Sequence, residues 1–189
     1  MGVTEHSTGT WDYGTLPGNV VLGEGCFIER SASFDRFRSE RDVGLSLGDG
    51  TTVYAWTAFN VEPGAVLEIG RDAVLVGAVF MCAERIVLGD RVQVGYHVTI
   101  ADSDFHPRDA EARRADSVAI APGLPRARRP RVPTAPVVIE DDVQIGIGAI
   151  VLKGSRIGRG ARIGAGCVVA GEVPAGALVE GNPARVVAQ

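Results

Sequence analysis

Large apolar side chains return at every sixth position through most of the chain. The uninterrupted run is Ile139, Ile145, Val151, Ile157, Ile163 and Val169. Four positions after each stands a small or β-branched residue: Val143, Ala149, Ser155, Ala161, Cys167 and Val173. Glycine directly follows the apolar residue at Gly146, Gly158 and Gly164. Upstream the same hexad reads Leu22, Ile28, Phe34; Leu47, Val53, Phe59; Ile69, Leu75, Met81; and Leu88, Val94, Ile100. The frame slips only after the third member of a group, by seven, four, one and thirty-three residues in turn. A period of six cannot hold one face of a 3.6-residue helix. A fixed short repeat is instead the mark of a solenoid. The pattern therefore predicts an all-β fold, a parallel β-helix of about six triangular coils. Each hexad is one strand and one turn, and all insertions leave from a single corner. Strands of neighbouring coils stack about 4.8 Å apart, and no coil buries its inner face without its neighbours.

The fourth-after position is small or β-branched except at Arg38, Pro63, Arg85 and Asp104. All four fall in the third hexad of a group, beside the corner that carries the insertions. That corner differs chemically from the other two, and loops on a rigid scaffold are where functional groups concentrate.

Length and charge narrow the picture further. A chain of 189 residues is one domain. The expected division is an irregular segment 1–21 and a β-helix over 22–189, with an extruded loop 101–138 and a C-terminal cap 174–189. The net charge of −4 gives no general attraction to nucleic acid. Cys26, Cys82 and Cys167 have no paired spacing, and Cys167 falls in an inward small-residue slot. No stretch approaches membrane-spanning length, and residues 1–18 carry neither an apolar signal core nor a basic leader. A cytoplasmic protein without a membrane partner is expected.

The run VVIEDDVQIGIGAIVLKGSRIGRGARIGAGCVVAGEVPAGALVEGNPARVV resembles the C-terminal half of hexapeptide-repeat acyltransferases with a left-handed β-helix. The subgroup it resembles most is that of the maltose, galactoside and capsule-sugar O-acetyltransferases. The repeat, the loop IADSDFHPRDAEARR and the terminus EGNPARVV carry the likeness. The resemblance implies a homotrimer with acetyl-CoA, or another acyl-CoA, lying between adjacent prisms. It also implies a small-molecule acceptor such as a sugar or a natural-product intermediate, and chemistry that needs no metal. A non-catalytic β-helix scaffold is the alternative, and a hexapeptide-type carbonic anhydrase a lesser one. The latter needs three histidines around zinc, and this chain has only His6, His97 and His106.

His106 opens the long insertion, and the resemblance makes it the general base on the acceptor. Imidazole suits that task because it titrates near neutrality. Asp102 and Asp104 precede it closely. Asp102 reads as a turn-former, whereas Asp104 could orient the ring or touch the acceptor. Glu84 lies one coil earlier on the same corner, where the family has an acidic acceptor contact. For the acyl-CoA the resemblance points to Gly146, Ile147 and Gly148, to Ala165, and to Arg185 near the nucleotide phosphates. Backbone N–H groups of 146–148 could stabilise a thioester oxyanion. His97 reads as a rim residue at an outward turn. The chain departs from the family at Ala170-Gly171, where Thr-Lys is usual, and at Gln144, where Trp is common. The sugar acetyltransferases begin with a helical acceptor-binding segment, whereas the region before Leu22 here is short, Gly-rich and not helical in pattern. In the stretch 121–136, Arg126, Arg128, Arg129 and Arg131 stand among prolines with no acidic residue. They form either a basic arm for CoA or an anionic acceptor, or a solvated loop tip. No aromatic residues are interleaved for stacking on nucleic-acid bases.

Overall fold

A computed structural model describes residues 15–120 and 129–188. The chain winds as a parallel β-helix whose strands stack into three sheets of seven, eight and five strands. On the first face Leu22, Leu47, Ile69, Leu88, Ile139, Ile157 and Val173 pair in one continuous column. The second face carries Ile28, Val53, Leu75, Val94, Ile145, Ile163 and Val179. The third carries Phe59, Phe80, Ile100, Val151 and Val169. These columns and the small residues beside the corners form one continuous core. The hexad period thus becomes a register in which like stacks on like.

Two details of the frame differ from the sequence reading. On the third face Phe80, not Met81, is the inward residue. The strand Val79–Cys82 alternates so that Phe80 and Cys82 are buried while Val79 and Met81 face outward. The hexad is thus one residue short before this strand, from Leu75 to Phe80, and the corner after it carries two extra residues rather than one before Leu88. Its reward is an aromatic stack inside the prism, with ring centroids 5.4 Å apart for Phe34–Phe59 and 5.5 Å for Phe59–Phe80. Secondly, the coils number seven. Val173 was assigned to a small corner slot but pairs with Ile157, because the chain is two residues shorter at the corner after Val169. An antiparallel strand, Arg185–Ala188, then closes the second sheet.

The Phe80 register makes a measurable prediction. Phe80→Ala should lower the unfolding free energy by about 3–5 kcal/mol, the usual cost of truncating a buried Phe. Met81→Ala should cost far less, because that side chain is only half-buried. Chemical denaturation of the two variants would invert this order if Met81 were the inward residue.

The loops leave, as expected, from the corner between the third and first faces. In the first coil the third strand is replaced by the short 3-10 helix Ser31–Phe34. The long excursion begins after Thr99–Ala101 and contains an α-helix, Ala110–Ala119. The sequence reading had treated that segment only as loop. Asp109 caps the helix by accepting the Ala112 N–H at 2.8 Å. The two arms of the excursion zip together at its base: Asp104 N–H donates to Pro133 O at 3.2 Å and Ala135 N–H to Asp102 O at 2.9 Å. No helix among the described residues is long and apolar enough to cross a membrane.

Candidate active site at the loop corner

Asp102 builds the floor of this corner. It is fully buried beside Cys82. Its carboxylate accepts the N–H groups of Ala83, Glu84 and Arg85 at 2.7–2.8 Å. Its role is that of a turn-former, tying one coil's corner to the next. Burial, and then the Asp102 charge, push the Cys82 thiol well above its ordinary range, which disfavours the thiolate that a nucleophile needs. All three cysteines are buried and free.

His106 stands on a strained turn. Its N–H donates to Asp104 O at 2.7 Å, closing a γ-turn around Phe105, whose φ is +65°. That left-handed conformation is costly for a bulky residue and is tolerated where the surroundings over-determine it. The turn lifts the imidazole so that its side chain is about half exposed. Nδ1 lies 2.7 Å from Oδ2 of Asp116, a carboxylate with no solvent exposure. Asp116 projects inward from the helix, ten residues beyond the histidine. An ionised Asp116 takes the Nδ1 proton as a donated hydrogen bond, which leaves the Nε2 lone pair free.

Arg129 completes the cluster. Its Nε and Nη2 donate to the two oxygens of Asp116 at 2.7 and 3.2 Å, and Nη2 also reaches Phe105 O at 3.1 Å. Nη1 donates to Glu62 Oε1 at 3.1 Å, and Arg38 donates to the same oxygen at 3.1 Å. An alternating chain therefore runs Arg38, Glu62, Arg129, Asp116, His106 across three separate excursions. The guanidinium of Arg129, and secondarily His106, hold the Asp116 carboxyl below the usual range against the opposing effect of burial. Beneath the turn is a small cavity of about 80 Å³, lined by Asn60, Glu62, Met81, Ser103, Phe105 and Arg129 among others. The outward Met81 is thus part of the site wall.

The other sequence candidates are distributed as follows. Asp104 does not touch the His106 ring. It is paired with Lys153 and, at 3.4 Å, with Arg108, and Lys153 holds its carboxyl below the usual range. Glu84 is exposed and outside the cavity lining, where Glu62 stands instead. Gly146, Ile147 and Gly148 turn the corner between the second and third faces, at the opposite edge of the third face from His106. Gly146 N–H donates to Ile163 O and Gly148 N–H to Tyr96 O, both at 2.8 Å. The N–H groups of Ile147, and of Ala165 stacked one coil on, have no partner among the described residues. Glycine is required at 146, where a Cβ would stand 2.7 Å from Ala165 N. Arg185 lies on the exposed closing strand, and His97 on an exposed corner. Arg126, Arg128 and His6 lie outside the described residues. No group of three His, Cys, Asp or Glu able to hold a metal occurs among the described residues.

Comparison with known proteins agrees with this architecture. Residues 136–171 match the family described as bacterial transferase hexapeptide (six repeats). A Staphylococcus aureus 2,3,4,5-tetrahydropyridine-2,6-dicarboxylate N-acetyltransferase is 54% identical over 55 residues, which are 29% of this chain and 23% of the relative. The match thus spans about a quarter of that protein's length. Among solved structures, a variant of the Bacillus cereus N-acyltransferase AntD, in complex with dTDP and coenzyme A, superposes with a TM-score of 0.62 at 15% identity. It covers 89% of this chain and 83% of that one. The polySia specific acetyltransferase NeuO gives a TM-score of 0.60 at 17% identity, covering 90% and 66%. At these identities the likeness shows the fold, a left-handed β-helix.

Proposed function

We propose that this chain, whose coils carry the bacterial transferase hexapeptide repeat, is an acyl-CoA-dependent acyltransferase with His106 as general base. The observation that carries the reading is the His106–Asp116 pair, which directs a free Nε2 outward beside a cavity on a hexapeptide prism. Nε2 takes the proton from an acceptor hydroxyl or amine as the acceptor's lone pair attacks the thioester carbonyl carbon. The tetrahedral adduct collapses with loss of the CoA thiolate, and the proton on Nε2 passes to that sulfur. No acyl-enzyme forms. The Asp116–Arg129 ion pair fixes the ring and balances the imidazolium charge that develops.

The acyl donor is acetyl-CoA or a homologue, and its carbonyl oxygen is received by the unpaired N–H groups of Ile147 and Ala165. These donors stand a whole face away from His106 in one copy, which favours a homotrimer in which one copy's corner meets its neighbour's His106 loop. Arg185 then serves the nucleotide phosphates, and Glu84 and Asp104 border the acceptor. The acceptor is sugar-like. Two of the proteins sharing the fold are described as polySia specific or in complex with dTDP, while the staphylococcal relative is named for N-acetylation. Cytoplasmic residence suits both the acyl-CoA supply and three free thiols.

The test is release of CoA thiol from acetyl-CoA by the purified protein across hydroxyl and amine acceptors, with initial rates varied in both substrates. Intersecting lines and acceptor-dependent release are expected. Parallel ping-pong lines would overturn direct transfer. A protein that neither binds nor consumes acetyl-CoA would be a scaffold.

A further inference from the structure

One charged group at the corner between the third and first faces takes no part in the steps of acyl transfer. Glu62 stands directly after the strand Ala58–Val61. Its backbone is fixed on both sides: its N–H donates to Cys82 O at 2.8 Å on the next coil, and its carbonyl accepts the Ala65 N–H at 3.0 Å. Pro63 follows and restricts the chain further. The Glu62 side chain therefore leaves a rigid part of the prism.

Two guanidinium groups converge on it. Arg129 Nη1 and Arg38 Nη2 each donate to the same oxygen, Oε1, at 3.1 Å. Arg38 is one of the four residues that break the small-residue rule beside this corner. Its backbone is stacked on the same coil as Glu62: Arg38 N–H donates to Val61 O at 2.9 Å, and Phe37 bridges to Val61. Its Nε is buried without a partner, so the fold leaves a polar atom unsatisfied where it sets a cation beside Glu62. The remaining bonds of Arg129 all go to the excursion that carries His106. They reach both oxygens of Asp116, and Phe105 O on the strained turn itself. Among the described residues Glu62 is thus the one partner that ties this guanidinium to the coils. The turn has its own tie, the Asp104–Lys153 pair. The ring end of the base has Glu62.

We infer that Glu62, braced by Arg38, is a positioning residue: it acts through Arg129 and Asp116 to hold the His106 ring at a fixed bearing on the prism. Side chains of one excursion can grip one another and still move together, and an outside peg removes that freedom. Glu62 and Arg38 are each 31% exposed, and ion pairs so placed add little to stability. What this one adds is geometry. The alternation of charge from Arg38 to Asp116 also lets the imidazolium form with no unbalanced cation beside it. The inference rests on the acyltransferase reading for its effect on rate, but not for its effect on the ring.

Two measurements on the whole protein test it. The first is nitrogen NMR of histidine-labelled protein in alkaline buffer, where the shifts of the neutral ring report which nitrogen carries the proton. His106→Ala assigns the signal among the three histidines. The unmodified protein should show the proton on Nδ1. Glu62→Gln should move both shifts toward those of Asp116→Asn, in which the carboxylate is gone, and Arg38→Gln should move them less. The second is steady-state kinetics. Glu62→Gln should lower kcat about 10- to 10²-fold, the cost of a misplaced group, with KM for acetyl-CoA and for the acceptor changed little and Tm nearly unaltered. In a His106→Ala background the same substitution should have no further effect. Ring shifts and kcat that ignore Glu62→Gln would overturn the inference. So would a raised acceptor KM at unchanged kcat, which would make Glu62 an acceptor contact, or an equal loss of rate in the His106→Ala background. If Glu62→Gln moves the ring shifts but no form of the protein releases CoA thiol, the acyltransferase reading fails and the positioning of the ring stands.

Discussion

His106→Ala should lower the maximal acyl-transfer rate by about 10²- to 10⁴-fold, the range supplied by a positioned general base, while leaving Tm nearly unchanged. The two halves of this result have separate causes. The imidazole is about half exposed, so its removal opens no core cavity. Asp116 keeps its two bonds from Arg129 and is not left as an uncompensated buried charge. The rate falls because the acceptor must lose its proton as it attacks, and no other group among the described residues on the loop corner offers a free basic nitrogen near neutrality. Lys153 is paired with Asp104, and the Cys82 thiol is buried and its ionisation disfavoured. The KM for acetyl-CoA should stay within a few-fold, because the base does not hold the thioester. A variant with unaltered kcat would remove His106 from the chemistry.

The winding of the chain was legible because its period is written in bulky side chains that must stack on their like. Where the reading erred, the local chemistry was ambiguous. At Phe80-Met81 two large apolar residues adjoin. Both are justified, one by the aromatic stack and one by the cavity wall, so hydrophobicity alone does not choose between them. Alternation does: Cys82 fits the small inner slot only if Phe80 points in. Val173 was likewise misassigned because a two-residue shortening looks the same as an intact hexad until Val179 is taken into account.

His106 was legible from its loop, but its partner was not. Neighbouring Asp102 and Asp104 drew attention, although one binds three backbone N–H groups and the other pairs with Lys153 and Arg108. The usable signal was Asp109 preceding an Ala-, Glu- and Arg-rich stretch, the mark of a capped helix. On that helix Asp116 and Ala119, three residues apart, share the buried face. Nothing in the sequence singles out Arg129 from its neighbouring arginines. Its bond to Asp116 joins two arms of one excursion and is a property of the folded loop.

That bond makes Asp116 the residue where stability and chemistry meet, and two substitutions separate them. Asp116→Asn keeps the shape but removes the charge. Its amide no longer obliges Nδ1 to carry the proton, so Nε2 is not reliably the free base. A loss of about 10²- to 10⁴-fold in kcat is expected, with little change in KM for acetyl-CoA. Asp116→Ala adds a structural cost. Breaking a buried ion pair typically costs about 3–5 kcal/mol. Here about 2–3 kcal/mol is expected, because Arg129 is 30% exposed and keeps Glu62. Acid should reproduce part of this loss in the unmodified protein. The Asp116 carboxyl is held below its ordinary value of about 3.9. Its contribution is therefore complete above that value and disappears as pH falls through the lowered folded one. Thermal unfolding between pH 7 and pH 2 should show the steep decline below about pH 4, and the decline should be shallower in Asp116→Asn, which has no carboxyl there to protonate. Equal acid sensitivity in both proteins would mean that the His106–Asp116–Arg129 cluster does not hold the loop to the prism, and the positioning of the base would then need another source.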